Sequence, residues 1–434
     1  MANLEVTVAP AATAAERAAV ARPIERRAIV AASLGTAIEF YDVFLYLYFS
    51  LTIAKLFFPT GDEWVSLLAT VGAFAVSYLT KPLGALVFSS YADRVSRKAA
   101  LTLTLSVMAA GIAVTASVPT YATIGVAATV IMVAARFIQG FSSGGEYGAA
   151  TAFLVERAPP DRRGFYASFQ ISALGLTSIL GGLSGVLIST LLTPAQIDAG
   201  GWRLPFVFGL TIIPVALYLR RVIPENLGSH SKSRAPLTEA VAGHKLRLLV
   251  CMGAFALVSV ANYALAFYLP TYAVKNLGLP PSGAFAATIM IGTVQAVLSP
   301  LFGHLSDRHG RGRVMLLGAA GMAPVTLPAF FFVVSHPTTV ALLCSQFVLA
   351  ILLTAYQAPM PAFLCDLFPP AIRTTGVAIV HDFTATIAGA FTPFMTTLLI
   401  GLTGSNLVPG FYVASAAVLG LVCVAVLRAK FEEY

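Results

Sequence analysis

The chain has 434 residues, 58% of them hydrophobic and only 11% charged, with a mean hydropathy of +0.83. Soluble domains carry about 25% charged residues, and a soluble chain of this length divides around separate cores; the composition excludes that class. The net charge of +8 could suggest a nucleic-acid binder, but the basic residues are spread through loops between apolar blocks, which excludes that reading too.

Residues 1–27 form an Ala-rich tail with Arg17, Arg22, Arg26 and Arg27. It has no short apolar core with a cleavage site, so it reads as a cytosolic tail and not a signal peptide. A bilayer core of about 30 Å takes roughly 20 helical residues. Twelve apolar blocks predict spanning helices over 28–52, 64–92, 98–118, 122–155, 164–192, 203–221, 246–275, 283–307, 312–335, 338–367, 373–402 and 407–429. The longest polar interruption, 222–245, holds Pro224, Glu225, Lys232, Arg234 and Pro236. The expected organisation is therefore an all-α membrane protein with a six-helix half over 28–221, a cytosolic linker over 222–245, a second six-helix half over 246–429 and a tail over 430–434.

An even number of spans puts both termini on one side. That side receives 22 of the 27 Lys and Arg residues. Lys55, Arg203 and Lys275 fall opposite, and Lys81 and Arg136 fall within spans. Excess basic charge marks the cytoplasmic face, so both termini are expected there, in a bacterial-type inner membrane. Cys251, Cys344, Cys365 and Cys423 lie in or beside apolar blocks without metal-ligand spacing, and read as packing residues.

The two halves repeat each other. Asp93-Arg94 followed by Arg97-Lys98 after the second block recurs around Asp307-Arg308 after the eighth, 214 residues on. Glu156, Pro159, Pro160 and Arg163 after the fourth block recur with the same spacing as Asp366, Pro369, Pro370 and Arg373 after the tenth, 210 residues on. Parallel six-helix repeats place a substrate between the halves near the midplane.

Ionisable groups at membrane depth are costly, and each is a functional candidate. Lys81 lies 12 residues before Asp93, about 18 Å along a helix. With Arg136, deep in the fourth block, it could hold a multivalent carboxylate, Arg as a bidentate fork and Lys as a point charge. The alternative for both is a salt bridge to Glu39, Asp42 or Glu146. Glu39 and Asp42 share a helix face at i, i+3, and two neighbouring carboxylates suit a site that takes up and releases a proton. Glu146, in a Gly-rich stretch, is a third carboxylate of this kind.

His381 and Asp382 enter the eleventh block about 12 Å from Arg373. A histidine titrates near neutral pH, so the two are candidates for substrate binding and proton coupling, although adjacent residues point about 100° apart and need not pair. Tyr41, Gln170, Asn262, Tyr263 and Gln295 are further substrate candidates. Tyr268 and Tyr272 read as an aromatic belt or an outer gate. Asp93, Arg94, Asp307, Arg308 and Arg373 lie at the cytosolic surface, where a carboxylate can meet a facing helix N-terminus and hold that side shut. No Ser-His-Asp set, Walker loop or metal-ligand set is present in the sequence, which speaks against an enzyme, a nucleotide-driven pump or a cofactor.

The run Gly303 to Arg311 resembles the G-x-x-x-D-R-x-G-R signature of the major facilitator superfamily, and its copy after the second block keeps Asp93 and Arg94 but has Ser89 and Ser96 for the glycines. Arg136-x-x-x-Gly140-x-x-x-Gly144 is similar to the same superfamily. Glu39-Phe40-Tyr41-Asp42, Lys81-Pro82-Leu83-Gly84, Gln139-Gly140-Phe141, Gly144-Gly145-Glu146-Tyr147-Gly148, Arg163-Gly164-Phe165-Tyr166 and Trp202-Arg203-Leu204-Pro205-Phe206 resemble its metabolite:proton symporter family. Lys81 stands where that family usually has Arg. The fourth block looks most like α-ketoglutarate permeases, and Leu402-Thr403-Gly404 with Pro409-Gly410-Phe411-Tyr412 looks more like citrate and tricarballylate symporters. The resemblance implies a monomeric carrier that takes up a di- or tricarboxylate with protons by alternating access. A proline or betaine (zwitterion) carrier, a shikimate carrier and an anion exchanger are the alternatives within transport, and a non-transporting anion sensor is the remote one.

Overall fold

The computed structural model describes residues 37, 40–42, 44–94, 97–144, 146–211, 214, 243–370 and 372–431, with side chains apart from those at 89–94, 97–101, 146, 149 and 153. Glu39, the tail 1–27, most of the linker and about half of the sixth block lie outside the described residues, as do the side chains of Asp93, Arg94 and Glu146.

The described chain is helical throughout. The first half runs α1 (Phe40–Tyr48), α2 (Ser50–Phe57), α3 (Glu63–Tyr78), α4 (Lys81–Arg94), α5 (Arg97–Ser117), α6 (Tyr121–Ile124), α7 (Val126–Ser142), α8 (Glu146–Arg157), α9 (Arg163–Ala167), α10 (Phe169–Leu191) and α11 (Pro194–Ala199). The second runs α12 (Lys245–Asn262), α13 (Leu269–Leu277), α14 (Pro281–His309), α15 (Arg311–Ser335), α16 (Thr339–Gln357), α17 (Met360–Leu367), α18 (Arg373–Thr384), α19 (Phe391–Thr403) and α20 (Val408–Phe431). Among the described residues eight helices or joined helices are long and apolar enough to cross a bilayer, and nine if α1 and α2, bent by 69° at Phe49, form one. The fifth and seventh helices are shorter apolar segments at the places of the third and fourth blocks, and 204–211 begins the sixth.

Local chemistry sets the helix ends. Asp62 caps α3 by accepting the N–H of Trp64 at 2.7 Å and of Val65 at 3.1 Å, the usual means of satisfying first-turn donors. Thr338 does the same for α16. Gly310 turns α14 into α15 at φ 92°, a left-handed conformation open to glycine at little cost. Large apolar residues such as Leu191, Val297, Leu317 and Phe331 stand exposed on the outer faces, as expected where the surrounding medium is lipid.

Two helices loosen into wider i→i+5 turns in mid-span: Tyr263–Phe267 between α12 and α13, and Ala385–Ala390 between α18 and α19. Such turns favour functional sites, and Gly389 in one packs on the ring of Tyr263 in the other.

The halves meet along α10 and α14, where a Cβ on Gly175 would run into the Gly292 carbonyl and a Cβ on Gly292 into that of Gly175. They also meet at both ends of the bundle. At one, Lys275 of α13 pairs with Glu63 of α3, Trp64 Nε1 donates to the Thr397 carbonyl at 3.1 Å, and Ser50 and Thr271 hydroxyls lie 2.7 Å apart. At the other, Asp307 of α14 accepts the N–H groups of Gly164 and Phe165 on α9. The conformation is closed at both ends. Tyr268 and Tyr272 are buried, against Thr397 and the Asn406 carbonyl; of the two readings given for them this removes the aromatic belt and leaves the outer gate, because both rings turn inward.

Candidate functional site

Between the closed ends, and among the described side chains, the helices bury two pairs of charged groups. Asp42 comes from α1 and Arg136 from α7, with Asp42 Oδ2 3.6 Å from Arg136 Nη1; both side chains are at most 3% exposed. Arg136 Nη2 donates to Thr115 Oγ1 of α5 at 2.6 Å, and its guanidinium lies 4.8 Å from the Tyr46 ring centre. Among the described residues, neither Asp42 oxygen accepts a hydrogen bond and Arg136 Nε donates none. A buried pair of this kind is held by charge alone, and removing one partner leaves the other stranded at a cost of about 3–5 kcal/mol.

The second pair joins the halves. Lys81 begins α4 where the helix breaks after Tyr78; Pro82 has no N–H to donate, and the first turn tolerates that loss. Its Nζ lies 3.7 Å from Oδ1 of Asp382 on α18. The same oxygen is 2.9 Å from Nδ1 of His381, so the neighbouring residues do pair. The His381 ring stacks on Tyr147 of α8 at 3.7 Å and meets the edge of Phe255 of α12 at 5.3 Å. Lys81 Nζ also lies 5.5 Å from the Tyr78 ring and 5.7 Å from the Phe40 ring, within reach of cation–π attraction.

Rings connect the two pairs. Tyr46, beside Arg136, lies 6.1 Å from Phe74, which lies 5.1 Å from Tyr78 beside Lys81. From the second half Tyr263 sits 6.1 Å from Phe44, Phe74 and Tyr78. Tyr263 is thus part of an aromatic wall between the halves.

An amide chain lines the second half. Gln295 Nε2 of α14 donates to Asn262 Oδ1 of α12 at 2.9 Å, and Asn262 Nδ2 donates to Gln357 Oε1 of α16 at 2.7 Å. Gln295 Oε1 and Gln357 Nε2 make no hydrogen bond among the described residues, which leaves an acceptor and a donor for other use. Sequence reasoning missed Gln357, although a lone amide deep in an apolar block is a signal of the same type as Gln295. It also missed Thr115 and Tyr46, which ordinary composition hides.

Two other candidates are engaged elsewhere. Tyr41 Oη lies 3.1 Å from Ser184 Oγ and donates to the Pro205 carbonyl at 3.4 Å. Gln170 accepts from Thr151 Oγ1 at 2.7 Å and ties α10 to α8.

At the Asp307 end, Arg311 lies 3.5 Å from Asp307 and also pairs with Asp366. Arg163 lies 3.9 Å from Asp366, and Arg373 lies 3.6 Å from Glu156, each pair crossing between the halves. Arg308, expected as a partner here, is exposed; Arg311, past the Gly310 turn at the start of α15, takes that place. Among the described residues no group of three or more His, Cys, Asp or Glu side chains is placed to hold a metal ion.

A multi-pass helical bundle in two halves, shut at both ends over buried charges, defines a membrane transporter and not an enzyme. Residues 32–297 and 287–433 match the family model of the Major Facilitator Superfamily, and the chain belongs to that superfamily. It is 31% identical to a citrate-proton symporter of Klebsiella pneumoniae over 92% of this chain and 91% of that protein. It is also 31% identical to the proline/betaine transporter of Escherichia coli (strain K12), over 92% of this chain and 82% of that one. Among solved structures, the xylose transporter XylE from E. coli in a partially occluded inward-open conformation superposes with a TM-score of 0.73 at 16% identity, over 94% of this chain and 97% of that one. XylE bound to 6-bromo-6-deoxy-D-glucose gives 0.76 at 17% identity, over 94% and 96%. These likenesses show the twelve-helix major facilitator fold.

Proposed function

We propose that the protein is a proton-coupled symporter of a small organic anion, a di- or tricarboxylate such as citrate, tricarballylate or α-ketoglutarate. The observation that carries this reading is a pair of buried cations, Arg136 and Lys81, each already holding a carboxylate of the protein. A site that retains two such groups away from water suits an anion with at least two carboxylates. The citrate-proton symporter relatives support it.

Asp42 is the proton carrier in this scheme. When a substrate carboxylate takes the Arg136 fork, Asp42 loses its counter-ion, and a proton compensates the charge that remains. Asn262, Gln295 and Gln357 contact the substrate from the second half, and His381 from α18. The bundle then alternates between open sides around a fixed site, since bound ligands shift such an equilibrium only through differential affinity. Asp307 and Arg373 with their partners Arg311, Asp366 and Glu156 form the cytosolic latch, and Asp93 and Arg94, the first-half counterparts of Asp307 and Arg308 in the repeat, belong to the same latch in this scheme. The chain acts as a monomer in a bacterial inner membrane, both termini cytoplasmic, in keeping with the bias of basic residues; the halves are 28–221 and 246–429, joined by the linker 222–245.

A second reading is a proline or betaine carrier. The wall of Phe44, Tyr46, Phe74, Tyr78 and Tyr263 favours it, because aromatic faces attract quaternary and secondary ammonium groups. Uptake of labelled citrate, tricarballylate, α-ketoglutarate, succinate, shikimate and proline into proteoliposomes, with and without an inward proton gradient, separates the two. Gradient-driven accumulation of a carboxylate is expected. Uptake of proline alone, or no response to the gradient, rejects the anion symporter.

A further inference from the structure

The Asp382 carboxylate occupies an unusual place. It belongs to the second half, yet it sits against a lysine of the first, and its Oδ1 is shared between Lys81 Nζ at 3.7 Å and His381 Nδ1 at 2.9 Å. All three side chains are at most 6% exposed. Ring packing fixes the histidine: Tyr147 stacks on one face and Phe255 meets it edge-on. If Lys81 turns away, Asp382 therefore keeps a partner on its own helix.

We infer that Asp382 is a built-in stand-in for one substrate carboxylate on Lys81, and that a carboxylate entering there displaces it together with the uptake of one proton by the His381–Asp382 unit. This deepens the symporter reading above and rests on it. The charge count supports the exchange. A carboxylate added to a closed, buried cluster changes its charge by −1, whatever other groups surround it. One proton added in the same step returns the sum to its starting value, and a net buried charge is what such a site cannot tolerate. The proton comes from water on the open side and rests on the His381 ring or on the freed Asp382 oxygen; it leaves to the opposite side when Asp382 returns to Lys81. Lys81 of α4 faces this unit with the Tyr78 ring of α3 beside its Nζ, Tyr147 of α8 stacks on the histidine, and α12 presents the uncharged Phe255; the side chain of Glu146, at the start of α8, is outside the described side chains. The closed state without substrate and the closed state with both ligands then carry equal charge in the cluster. The cross-half pair is the element that differs between them.

The test is proton uptake per citrate bound to the full-length protein in detergent. It is read by calorimetry in buffers of different ionisation enthalpy, and by the dependence of Kd on pH above about pH 7.5, where free citrate is fully ionised and the slope counts protons. Asp382→Asn is expected to take up about one proton fewer per citrate than the unaltered protein, and to lose about tenfold of Kd change per pH unit. The ratio reports coupling and not affinity, so a merely structural role leaves it where it was. A ratio in Asp382→Asn equal to that of the unaltered protein overturns the exchange while the symporter reading stands. Should Asp382→Asn fail to fold, Lys81→Gln/Asp382→Asn removes both charges together; retention of the full proton count there overturns the exchange equally. Proline binding without citrate binding in the unaltered protein defeats the carboxylate reading, and the exchange with it.

Discussion

The Asp307 carboxylate accepts the backbone N–H of Gly164 at 2.7 Å with one oxygen and that of Phe165 at 2.8 Å with the other. Asp307 lies on the second half of the bundle and both donors lie on the first. A charged acceptor on free N–H groups at a helix start combines hydrogen bonding with the favourable end of the helix dipole. Hydrogen bonds to charged groups contribute about 1.5–3 kcal/mol each. Asp307→Asn keeps one acceptor and loses the charge, so the closed state at this end should weaken by about 1.5–3 kcal/mol, or roughly ten- to hundredfold in population. Spin labels at the exposed positions Arg162 and His309 report it as growth of a longer-distance population. An unchanged distance distribution would show that Asp307 does not hold this end shut.

The Gly175–Gly292 contact makes a different demand. Each glycine faces the other's carbonyl, and a Cβ on Gly292 also presses on Ser178. Overpacking a tight contact costs about 1–3 kcal/mol. Gly292→Ala is therefore expected to lower thermal stability by that amount, and Gly243→Ala, where a Cβ meets nothing within 4 Å, to leave it within about 0.5 kcal/mol. Melting curves of the purified variants decide it, and equal melting points for the two would refute the steric reading.

Hydropathy alone marked the spans well, since each block is long, apolar and bounded by charge, and the depth of Lys81 and Arg136 follows from helical rise. What hydropathy leaves open is which way a residue faces. Lys81 and Asp382 are distant in sequence and meet only because α4 and α18 cross between the halves; no periodicity in either block carries that information. Asp42 was one of three carboxylates offered to Arg136; it lies 3.6 Å from the guanidinium, while Glu39 and the side chain of Glu146 fall outside the described residues. The bend at Phe49 was equally hidden, with no proline or polar run at the break. The wide turns at Tyr263–Phe267 and Ala385–Ala390 each precede a proline, Pro270 and Pro393, whose missing N–H frees the carbonyl four residues back, but a proline in a span marks a disturbance without saying which turn replaces the α pattern. Arg308 lies in the last turn of α14 and Arg311 begins α15, on either side of the Gly310 turn, a change of direction finer than a block boundary can be read.

The closed end opposite Asp307 rests partly on Trp64, whose Nε1 donates to the Thr397 carbonyl at 3.1 Å while its ring covers Gly401. Trp64→Phe keeps most of the apolar area and removes the donor. A neutral hydrogen bond contributes about 0.5–1.5 kcal/mol, so opening at this end should rise about two- to tenfold. Cysteine-labelling rates at a thiol introduced for Ser50, whose hydroxyl faces Thr271 across the same closure, measure it. Equal rates in both backgrounds would mean that the indole bond adds nothing to the closed state.

The Asp42–Arg136 pair separates charge from shape. Arg136→Ala removes the cation and the fork, strands Asp42 in a buried site, and is expected to cost about 3–5 kcal/mol of stability unless Asp42 takes a proton. Uptake should then fall at least a hundredfold, because both the carboxylate ligand and the counter-ion of the proton carrier are gone. Arg136→Lys keeps the charge but gives up the second donor direction that the planar guanidinium offers; Thr115 Oγ1, held at 2.6 Å by Nη2, loses its donor. Partial uptake with a raised KM is the expected outcome, smaller in effect than for Ala. The double change Asp42→Asn/Arg136→Gln removes both charges, so stability should recover toward that of the unaltered protein while proton-driven accumulation stays absent. Melting temperature and gradient-driven uptake measured on the same preparations distinguish the two contributions. Recovery of both together would show that the pair only braces α1 against α7, and recovery of neither would show that the site needs these side chains for shape.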